Sequence, residues 1–487
     1  MSRFCIDFIA KELTEVGYTQ FMTQIYPIIK FILLQSLWFI LVLYGNNLGS
    51  LSFVVGLLCY ILNFYWIRKV ISLGHYLFCA FSFLLYGFIQ DFGASKLELI
   101  DYSTSYPPSW LGALFLVFLC YYGDIFDYLS RLSLPVQALL GFWGGGFAYY
   151  SGAQLAELTI LSPLYYLYIA LGWSVFFPLS LRIFYKGLGF HLLLDASIYY
   201  SFDRRGFLRH KKKFPPELLE FNSNSYCLIT GGSSGIGKAL GESLKGKLGV
   251  IITGRNETKG FRAAKEINAQ FKKLDMENWQ EIESFVQRLP VLDYLVLNAG
   301  AMPDKLLKHD SGIESQMASQ LFGHYYLLKS IVLRNKLAAK ARVIWVTSGG
   351  MYLAPLDLKK VMADKIKKYD KMATYANVKR AQVDLLEFFA QEFSDYSVVA
   401  MHPGWVDTPA LSGAMEDFYK SLGQNLRTPQ EGADTIYWLM GSKNLPQSGK
   451  LYFDRARVRK HYFPHTFLFN DKAESLYKLL QTYKPNL

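Results

Sequence analysis

Hydrophobic positions along this chain follow two different rules, and the change comes near residue 200. Before it, six apolar runs of about bilayer-crossing length occupy Tyr26–Tyr44, Leu51–Ile67, Ile71–Gln90, Trp110–Phe126, Leu134–Ser151 and Thr159–Ile183. The fourth is the weakest, with Asp124 and Asp127 at its end. A buried soluble core has no need of so many long runs so close together, and the pattern predicts an α-helical, multi-pass membrane domain over 26–186. After the change, short apolar strands alternate with helical patterns: Tyr226–Ile229, Gly249–Thr253, Ala269–Leu274, Tyr294–Leu297, Arg342–Val346 and Ser397–Met401, with Lys450–Phe453 as a seventh. That βαβ rhythm predicts a doubly wound parallel α/β sheet over 222–487. Residues 1–25 read as an amphipathic segment, and 187–221 as a basic juxtamembrane linker.

Charge sharpens the division. Residues 1–200 carry 9 Lys/Arg against 10 Asp/Glu, so the whole basic excess behind the net +12 belongs to the second part. No zinc-finger spacing, basic zipper or RNA-recognition signature accompanies it, and no nucleic-acid partner is expected. Arg68, Lys69, Arg131, Arg182 and Lys186 border one side of the apolar runs, and only Lys96 the other. By the positive-inside rule, the N-terminus and everything after Ile183 are expected in the cytoplasm, at the inner membrane if the cell is bacterial. Six spans agree, since an even number returns the chain to its starting side. Arg3, Asp7, Lys11, Glu12 and Glu15 make the first residues too polar for a signal peptide.

Arg204, Arg205, Arg209, His210, Lys211, Lys212 and Lys213 form a basic cluster just past the membrane. It reads either as a contact with anionic lipids, at about 1 kcal/mol per basic residue, or as a solvated linker. Cys5, Cys59, Cys79, Cys120 and Cys227 show neither a disulfide framework nor a metal pattern and read as small hydrophobes. Gly144, Gly145, Gly146 and Gly152 suit close helix packing in lipid. Asp91, Asp124 and Asp127 are ionisable residues at membrane depth, read mainly as helix-end residues in water or headgroups; His75 reads as interfacial.

The candidate chemistry lies in the second part. TGGSSGIG, Thr230–Gly237, sits between a strand and a helix start, where a glycine-rich turn can cradle a pyrophosphate. Gly231 allows the tight turn, Gly235 the approach of backbone to phosphate, and Gly237 the close packing of helix on strand. Tyr375 and Lys379 stand four residues apart on one face of a helix. A phenol near its normal pKa of about 10 is a poor proton carrier at neutral pH. The ammonium one turn away is expected to draw its pKa toward neutrality. Ser348, at the end of VIWVTS, can hydrogen-bond a reacting carbonyl or hydroxyl.

TGGSSGIG, then Asn298-Ala299-Gly300, Ser348, Tyr375 with Lys379, and Pro403-Gly404 occur in that order at strand ends, and residues 222–487 resemble the short-chain dehydrogenase/reductase family. VTSGGM, YANVKRAQ and MHPGWVDTP are similar to its membrane-associated, retinol-dehydrogenase-like branch. The resemblance implies a Rossmann-type fold, nicotinamide chemistry and no metal. It implies that Ser348 orients the substrate oxygen, Tyr375 is the acid/base, and Lys379 also holds the nicotinamide ribose. Ser233, Ser234 and Ile236 would join the glycines at the cofactor, while Asn298, Ala299 and Gly300 line it. Asp275 and Met276 would flank the adenine, and Pro403, Gly404, Val406 and Thr408 the nicotinamide. Separately, GFWGGGFAYYSGAQLAE and LGWSVFFPLSLRI make residues 25–185 resemble a bacterial membrane family of unknown function.

Strand two ends Thr253-Gly254-Arg255-Asn256, without the acid that would bind a free ribose 2′-hydroxyl. Arg255, with Ser233, suits a 2′-phosphate, so NADP(H) is expected over NAD(H). Where the family usually has an asparagine before G-H, this chain has Gln320 in QLFGH, which is expected to slow a proton relay to the lysine. The lysines between Lys359 and Lys371 read equally as a basic membrane-surface helix or as a solvated face. The leading expectation is a membrane-embedded NADP(H)-dependent oxidoreductase acting on a carbonyl or alcohol of a lipophilic molecule, beside the bilayer and possible as a homodimer. The alternative is a weak or inactive nucleotide-sensing scaffold with a membrane anchor or carrier.

Overall fold

The computed structural model describes residues 26–103, 106–123, 125–156, 158–467 and 471–483. The amphipathic segment expected over 1–25, Cys5 and Asp124 lie outside the described residues. Two compact units divide between Leu193 and Leu194.

The first unit is helical, with α1 Tyr26–Leu48, α2 Ser50–Ile67, α3 Leu73–Lys96, α4 Ser109–Leu119, α5 Leu134–Leu155 and α6 Leu164–Lys186. Their directions alternate. Trp110 Nε1 donates to Asn46 Oδ1 at 2.8 Å, and Phe31 meets Tyr121 at 5.8 Å, so α1 and α4 are antiparallel. Ser109 Oγ donates to the Gly49 carbonyl at 2.9 Å, while Gly123 packs on Ile67, so α2 and α4 run together. Phe83 meets Tyr122, Tyr86 meets Phe115, Trp173 stacks on Phe115, and Ser180 bonds Tyr122; α3 therefore opposes α4 and α6 follows it. Gly141 presses on Trp173 and Phe177 while Tyr150 faces Tyr166, which sets α5 against α6. Tyr26 and Lys186 thus lie at the same end.

Four of these helices, α1, α2, α3 and α6, are long and apolar enough to cross a membrane. Their outward residues are large hydrophobics such as Leu62, Phe81 and Val175. The 22-residue α5 is diluted by glycines and glutamines. The fourth run differs from expectation: its helix stops at Leu119 and spans roughly 16 Å at 1.5 Å per residue. Enclosure explains this. Trp110, Ala113, Leu116 and Leu119 are buried by the surrounding helices, and side chains serve the backbone beyond, with Tyr185 Oη accepting from the Gly123 N–H at 3.0 Å. Irregular backbone survives at membrane depth only when protein surrounds it.

Two finer expectations change, for Asp91 and for two of the glycines. Asp91 is not a water-facing helix end: it is buried, accepting from Tyr149 at 3.2 Å and Tyr102 at 3.4 Å. Asp127 pairs with Arg131 on the surface, and His75 Nε2 bonds the Ile183 carbonyl oxygen at 2.7 Å. Gly145 and Gly146 do seat against α6, whereas Gly144 faces open space and Gly152 touches only Trp38. Cys59, Cys79, Cys120 and Cys227 are free thiols, three of them buried.

The second unit is a doubly wound sheet. Its strands are β1 Tyr226–Ile229, β2 Gly249–Gly254, β3 Gln270–Lys273, β4 Leu292–Leu297, β5 Leu337–Val346, β6 Ser397–Met401, β7 Leu451–Phe453 and β8 Ala456–Val458. The order is β8-β7-β6-β5-β4-β1-β2-β3, parallel throughout except for β8. Strands such as Ser-Val-Val-Ala-Met in β6 are buried along their whole length because helices cover both faces. Leu321, Tyr325, Val378 and Phe389 pack one face; Ala239, Leu240, Ala433 and Ile436 pack the other. Successive strands depart to opposite sides of the β1–β4 pair, which opens a crevice at their carboxyl ends.

Two segments read as peripheral are built differently. The lysine-rich stretch before Tyr375 forms single turns, Leu358–Lys360 and Ala363–Lys365, not a basic helix; it lacks an apolar stripe, and Asp370 caps a helix that begins only at Lys371. Part of the expected linker is folded onto the second unit as Ile198–Phe202 and α7 (Arg204–Lys211). Its basic residues are largely paired: Arg204 with Glu431, Arg205 with Asp203, Arg209 with Asp195, and His210 with Asp195 and Asp454. Lys211 and Lys212 remain exposed.

Candidate active site

The glycine motif, Asn298-Ala299-Gly300, Ser348 and Pro403-Gly404 each follow the carboxyl end of a strand. After β1 the chain turns through Gly231 at φ 69° and enters α8 (Gly235–Leu244) through Gly235 at φ 54°, both in the left-handed region. A Cβ on Gly231 would lie 2.8 Å from Ala299 Cα, and one on Gly237 2.6 Å from the Gly231 carbonyl oxygen. The turn is therefore pinned against Asn298-Ala299-Gly300, which follows β4. Asn298 Nδ2 donates to the Thr230 carbonyl at 2.9 Å and the Gly231 carbonyl at 3.3 Å. Ser234 precedes the helix in extended backbone, leaving the first α8 N–H groups and their dipole end for an anion.

The loop after β6 closes the other side. Thr408 lies against Gly235, and Val406 and Ile236 both approach Gly432. Pro403 is buried, and Gly404, at φ 74°, allows the loop to lie against Arg427 and the Phe202 carbonyl. At the end of β2, Arg255 is exposed and Ser233 Oγ approaches Gly254. The structure thus brings the glycine turn, Arg255, Asn298 and the Pro403–Thr408 loop around one crevice, and their donor chemistry fits a dinucleotide. Asp275 caps its own turn, accepting from the Glu277 N–H at 3.1 Å. The Met276 side chain is buried in the core, so only its backbone edge is available to an adenine.

Ser348, Tyr375 and Lys379 come together at the carboxyl end of β5. Ser348 follows β5, and its hydroxyl is near enough to the Tyr375 phenol on α10 (Lys371–Asp384) to draw the phenol's pKa down. Lys379 Nζ stands 5.3 Å from the Tyr375 ring centroid and donates to the Val346 carbonyl at 3.1 Å. Burial pushes Lys379 down to about 7 and Tyr375 up to about 12, with Ser348 pulling the phenol the other way. The sequence reading expected the phenol near neutrality. That does not hold for the protein alone, because desolvation outweighs the neighbouring amine.

Gln320 lies in one turn of π-helix, Ala318–Gly323, just before α9 (His324–Leu333). Its Nε2 donates to the Ala301 carbonyl at 2.8 Å, and its own carbonyl accepts from Gln382 Nε2 at 2.8 Å. His324 Nδ1 lies 3.0 Å from that same carbonyl oxygen, and Nε2 lies 2.9 Å from Thr230 Oγ1. A carbonyl can only accept, so the assigned tautomer carries its proton on Nδ1 and Nε2 accepts from Thr230. Thr230 Oγ1 accepts in turn from the Asn298 and Ala299 N–H groups, at 2.8 and 2.9 Å. Thr230, His324 and Gln382 were not among the sequence-derived site residues. The first two stand inside the motifs TGGSSGIG and QLFGH, but nothing in the spacing shows that they meet.

Phe202 and Arg427 were also missed. Arg427, 1% exposed, donates to both carboxylate oxygens of Asp454 at 2.5 and 2.9 Å. It also reaches the carbonyls of Ser201 and Phe202. The Trp405 N–H bonds the Phe202 carbonyl at 2.9 Å, so the segment before α7 braces the Pro403-Gly404-Trp405 loop. Among the described residues no cluster of His, Cys, Asp and Glu could hold a metal.

Comparison with known proteins finds relatives for both parts of the chain. A family model described as short chain dehydrogenase matches residues 225–417, and one of unknown function (DUF2878) matches 27–179. Human dehydrogenase/reductase SDR family member 12 is 32% identical over 305 residues, covering 58% of this chain and 95% of that protein. Human retinol dehydrogenase 12 is 28% identical over 248 residues, covering 47% of this chain and 78% of its own. A solved structure of an uncharacterized Mycobacterium paratuberculosis protein aligns with TM-score 0.45 and 20% identity, over 55% of this chain and 97% of that one.

Proposed function

The chain belongs to the short-chain dehydrogenase family, and from that premise we propose that it is a membrane-embedded NADP(H)-dependent oxidoreductase. Its substrate in this reading is a carbonyl or alcohol on a lipophilic molecule. The observation that carries it is Lys379 Nζ over the Tyr375 ring, 5.3 Å from its centroid, with Ser348 near the phenol. A bound nicotinamide supplies or takes the hydride. In the reducing direction Ser348 holds the substrate oxygen and Tyr375 delivers the proton to it. Protonated Lys379 stabilises the phenolate left behind; in oxidation the same proton returns to Tyr375. Lys379, poised at about 7, can change charge near neutral pH as the crevice fills.

Arg255, exposed at the end of β2 beside Ser233, supports NADP(H), because a guanidinium pairs with a 2′-phosphate. The lipophilic substrate rests on the attached helical unit and on the likeness to a retinol dehydrogenase. The basic residues gathered at the Lys186 end of that unit support a cytoplasmic second unit. Calorimetry on the detergent-purified full chain tests the reading, with saturable binding that favours NADPH over NADH expected, followed by NADPH-dependent turnover of membrane-lipid extracts. Binding without turnover of any carbonyl extract would favour a nucleotide sensor, and absence of binding would end the enzyme reading. Arg255→Asp should erase the preference for NADPH.

A further inference from the structure

The chain that follows the Pro403–Thr408 loop has little to hold it. Thr408 lies against Gly235 and caps α11 (Pro409–Ala414), its hydroxyl accepting from the Leu411 N–H at 3.2 Å; α12 (Glu416–Leu422) comes next. The two helices are six and seven residues long, well short of the roughly 12–15 residues at which a helix begins to stand alone in water. Leu422 is the one buried residue in the pair. Such a segment belongs to the low end of local stability, so the few side chains that touch it decide where it stands. From α12, Tyr419 Oη donates to Asp407 Oδ1 at 2.9 Å, and the Phe418 ring meets Trp405 edge to face, with centroids 5.0 Å apart at 90°.

Trp405 is therefore the post on which α12 leans, and its own direction is set by others. Its backbone is pinned on both sides: the N–H donates to the Phe202 carbonyl at 2.9 Å, and the carbonyl accepts from the Arg427 N–H at 2.8 Å. Its ring is met edge to face by Phe202, at 6.0 Å and 81°, and by Tyr199, at 5.5 Å and 71°. Rings in this arrangement hold one another's direction, because each edge is drawn to a neighbour's face. Phe202 is a core residue, but Tyr199 is 41% exposed. Burial does not fix it there. Tyr199 belongs to Ile198–Phe202, on the chain between α6 and the sheet, and the Arg205 guanidinium, held by Asp203, lies 6.0 Å from its ring.

We propose that Tyr199 is a positioning residue for the crevice: acting through Trp405, it fixes α11 and α12 beside the nicotinamide end of a bound NADP(H). The nicotinamide end rests on the dehydrogenase reading, whereas the coupling rests on geometry alone. The crevice is then completed by chain that precedes β1, from the segment that leads out of the helical unit.

Hydrogen exchange read by mass spectrometry on the full chain in detergent tests this. In Tyr199→Ala without nucleotide, amides over 409–422 should exchange about three- to tenfold faster than in wild type, the range that one edge-to-face ring pair supports. Peptides from β6 should keep the wild-type rate. Tyr199→Phe, which keeps the ring, should restore slow exchange. Trp405→Ala should speed the same segment, and adding Tyr199→Ala to it should change nothing more, because the tyrosine acts through the indole. NADPH should slow exchange over 409–422 in wild type and Tyr199→Phe, and by less in Tyr199→Ala. Unchanged exchange of this segment in Tyr199→Ala, fast exchange in Tyr199→Phe, equal acceleration in β6, or effects of the two substitutions that multiply would each overturn the coupling. NADPH that binds in calorimetry yet leaves the wild-type segment unaltered would overturn its placement at the nicotinamide end. Absence of NADPH binding ends the dehydrogenase reading, while the nucleotide-free exchange still decides the coupling.

Discussion

A single hydroxyl ties the two ends of the site together. Thr230 receives two backbone N–H groups from Asn298 and Ala299 and gives its own proton to His324, which in turn holds the Gln320 carbonyl. The arrangement needs a neutral imidazole, and burial supplies one by lowering His324 from 6.5 to about 3. His402 is lowered likewise to about 3. The sign follows directly: below the unfolded value of 6.5 the unfolded chain takes up these protons and the folded chain does not. Stability is then lost as pH falls from about 6.5 toward 3, by about 1.4 kcal/mol per unit for each histidine. Glu314, raised to about 7 by burial, binds its proton in the folded state and opposes part of this loss between pH 7 and the usual carboxylate range. The thermal midpoint of the second unit should fall on acidification from pH 6.5 to 5, with a shallower slope in His324→Gln. At the trio itself, Tyr375→Phe should lower kcat by about 10²–10⁴-fold, the usual worth of a positioned acid/base, with NADPH affinity nearly unchanged. For Gln320→Asn the carbonyl that joins the network is retained and only the reach to Ala301 is lost. Steady-state assay should find turnover preserved or raised, with about 1 kcal/mol less stability.

The segment before α7 has consequences that its sequence hides. Phe202, 2% exposed, fills the space beside Gly349 and packs on His402, Trp405 and Phe453. Phe202→Ala should cost about 3–5 kcal/mol through the cavity it leaves and raise the KM for NADPH by loosening the Pro403–Thr408 loop. Arg427→Met should cost as much, because Asp454 would keep a buried charge with its main partner gone; Arg427→Met with Asp454→Leu should recover part of the midpoint in a thermal melt. These effects were not legible beforehand, since Phe202 and Arg427 meet across 225 positions and carry no local pattern. The strands were legible because apolar runs bounded by turn signals are local: β1 and β6 match their expected bounds, and β5 only starts earlier, at Leu337. Ser348 was legible because it follows a strand, and Tyr375 with Lys379 because their four-residue spacing puts them on one face of α10. The protonation of Tyr375 was not, because burial is a property of the packed crevice and no spacing in YANVK contains it.

The alternating helices make a prediction about the membrane that rests on geometry as well as charge. Arg68, Lys69, Arg131 and Lys186 follow the ends of α2, α4 and α6, which point the same way, while Lys96 and the small hairpin of Ile100–Asp101 with Thr159–Ile160 lie at the opposite end. With Arg182 that makes five basic residues against one, the asymmetry that the positive-inside rule reads. The short α4 does not upset it. That segment, with the turn through Gly123, runs beside α2 from Gly49 to Ile67 and so covers the same depth as an 18-residue helix. Six crossings of alternating direction would make the number even, and the second unit is then expected on the side from which α1 starts. In inside-out membrane vesicles of a cysteine-free variant, Arg131→Cys should react with a membrane-impermeant maleimide and Thr159→Cys should not, with the opposite result in right-side-out vesicles. Labelling of both positions from one side would show that α5 fails to cross. Protection of Arg131→Cys in inside-out vesicles would invert the orientation and place the nicotinamide crevice away from the compartment that holds its cofactor.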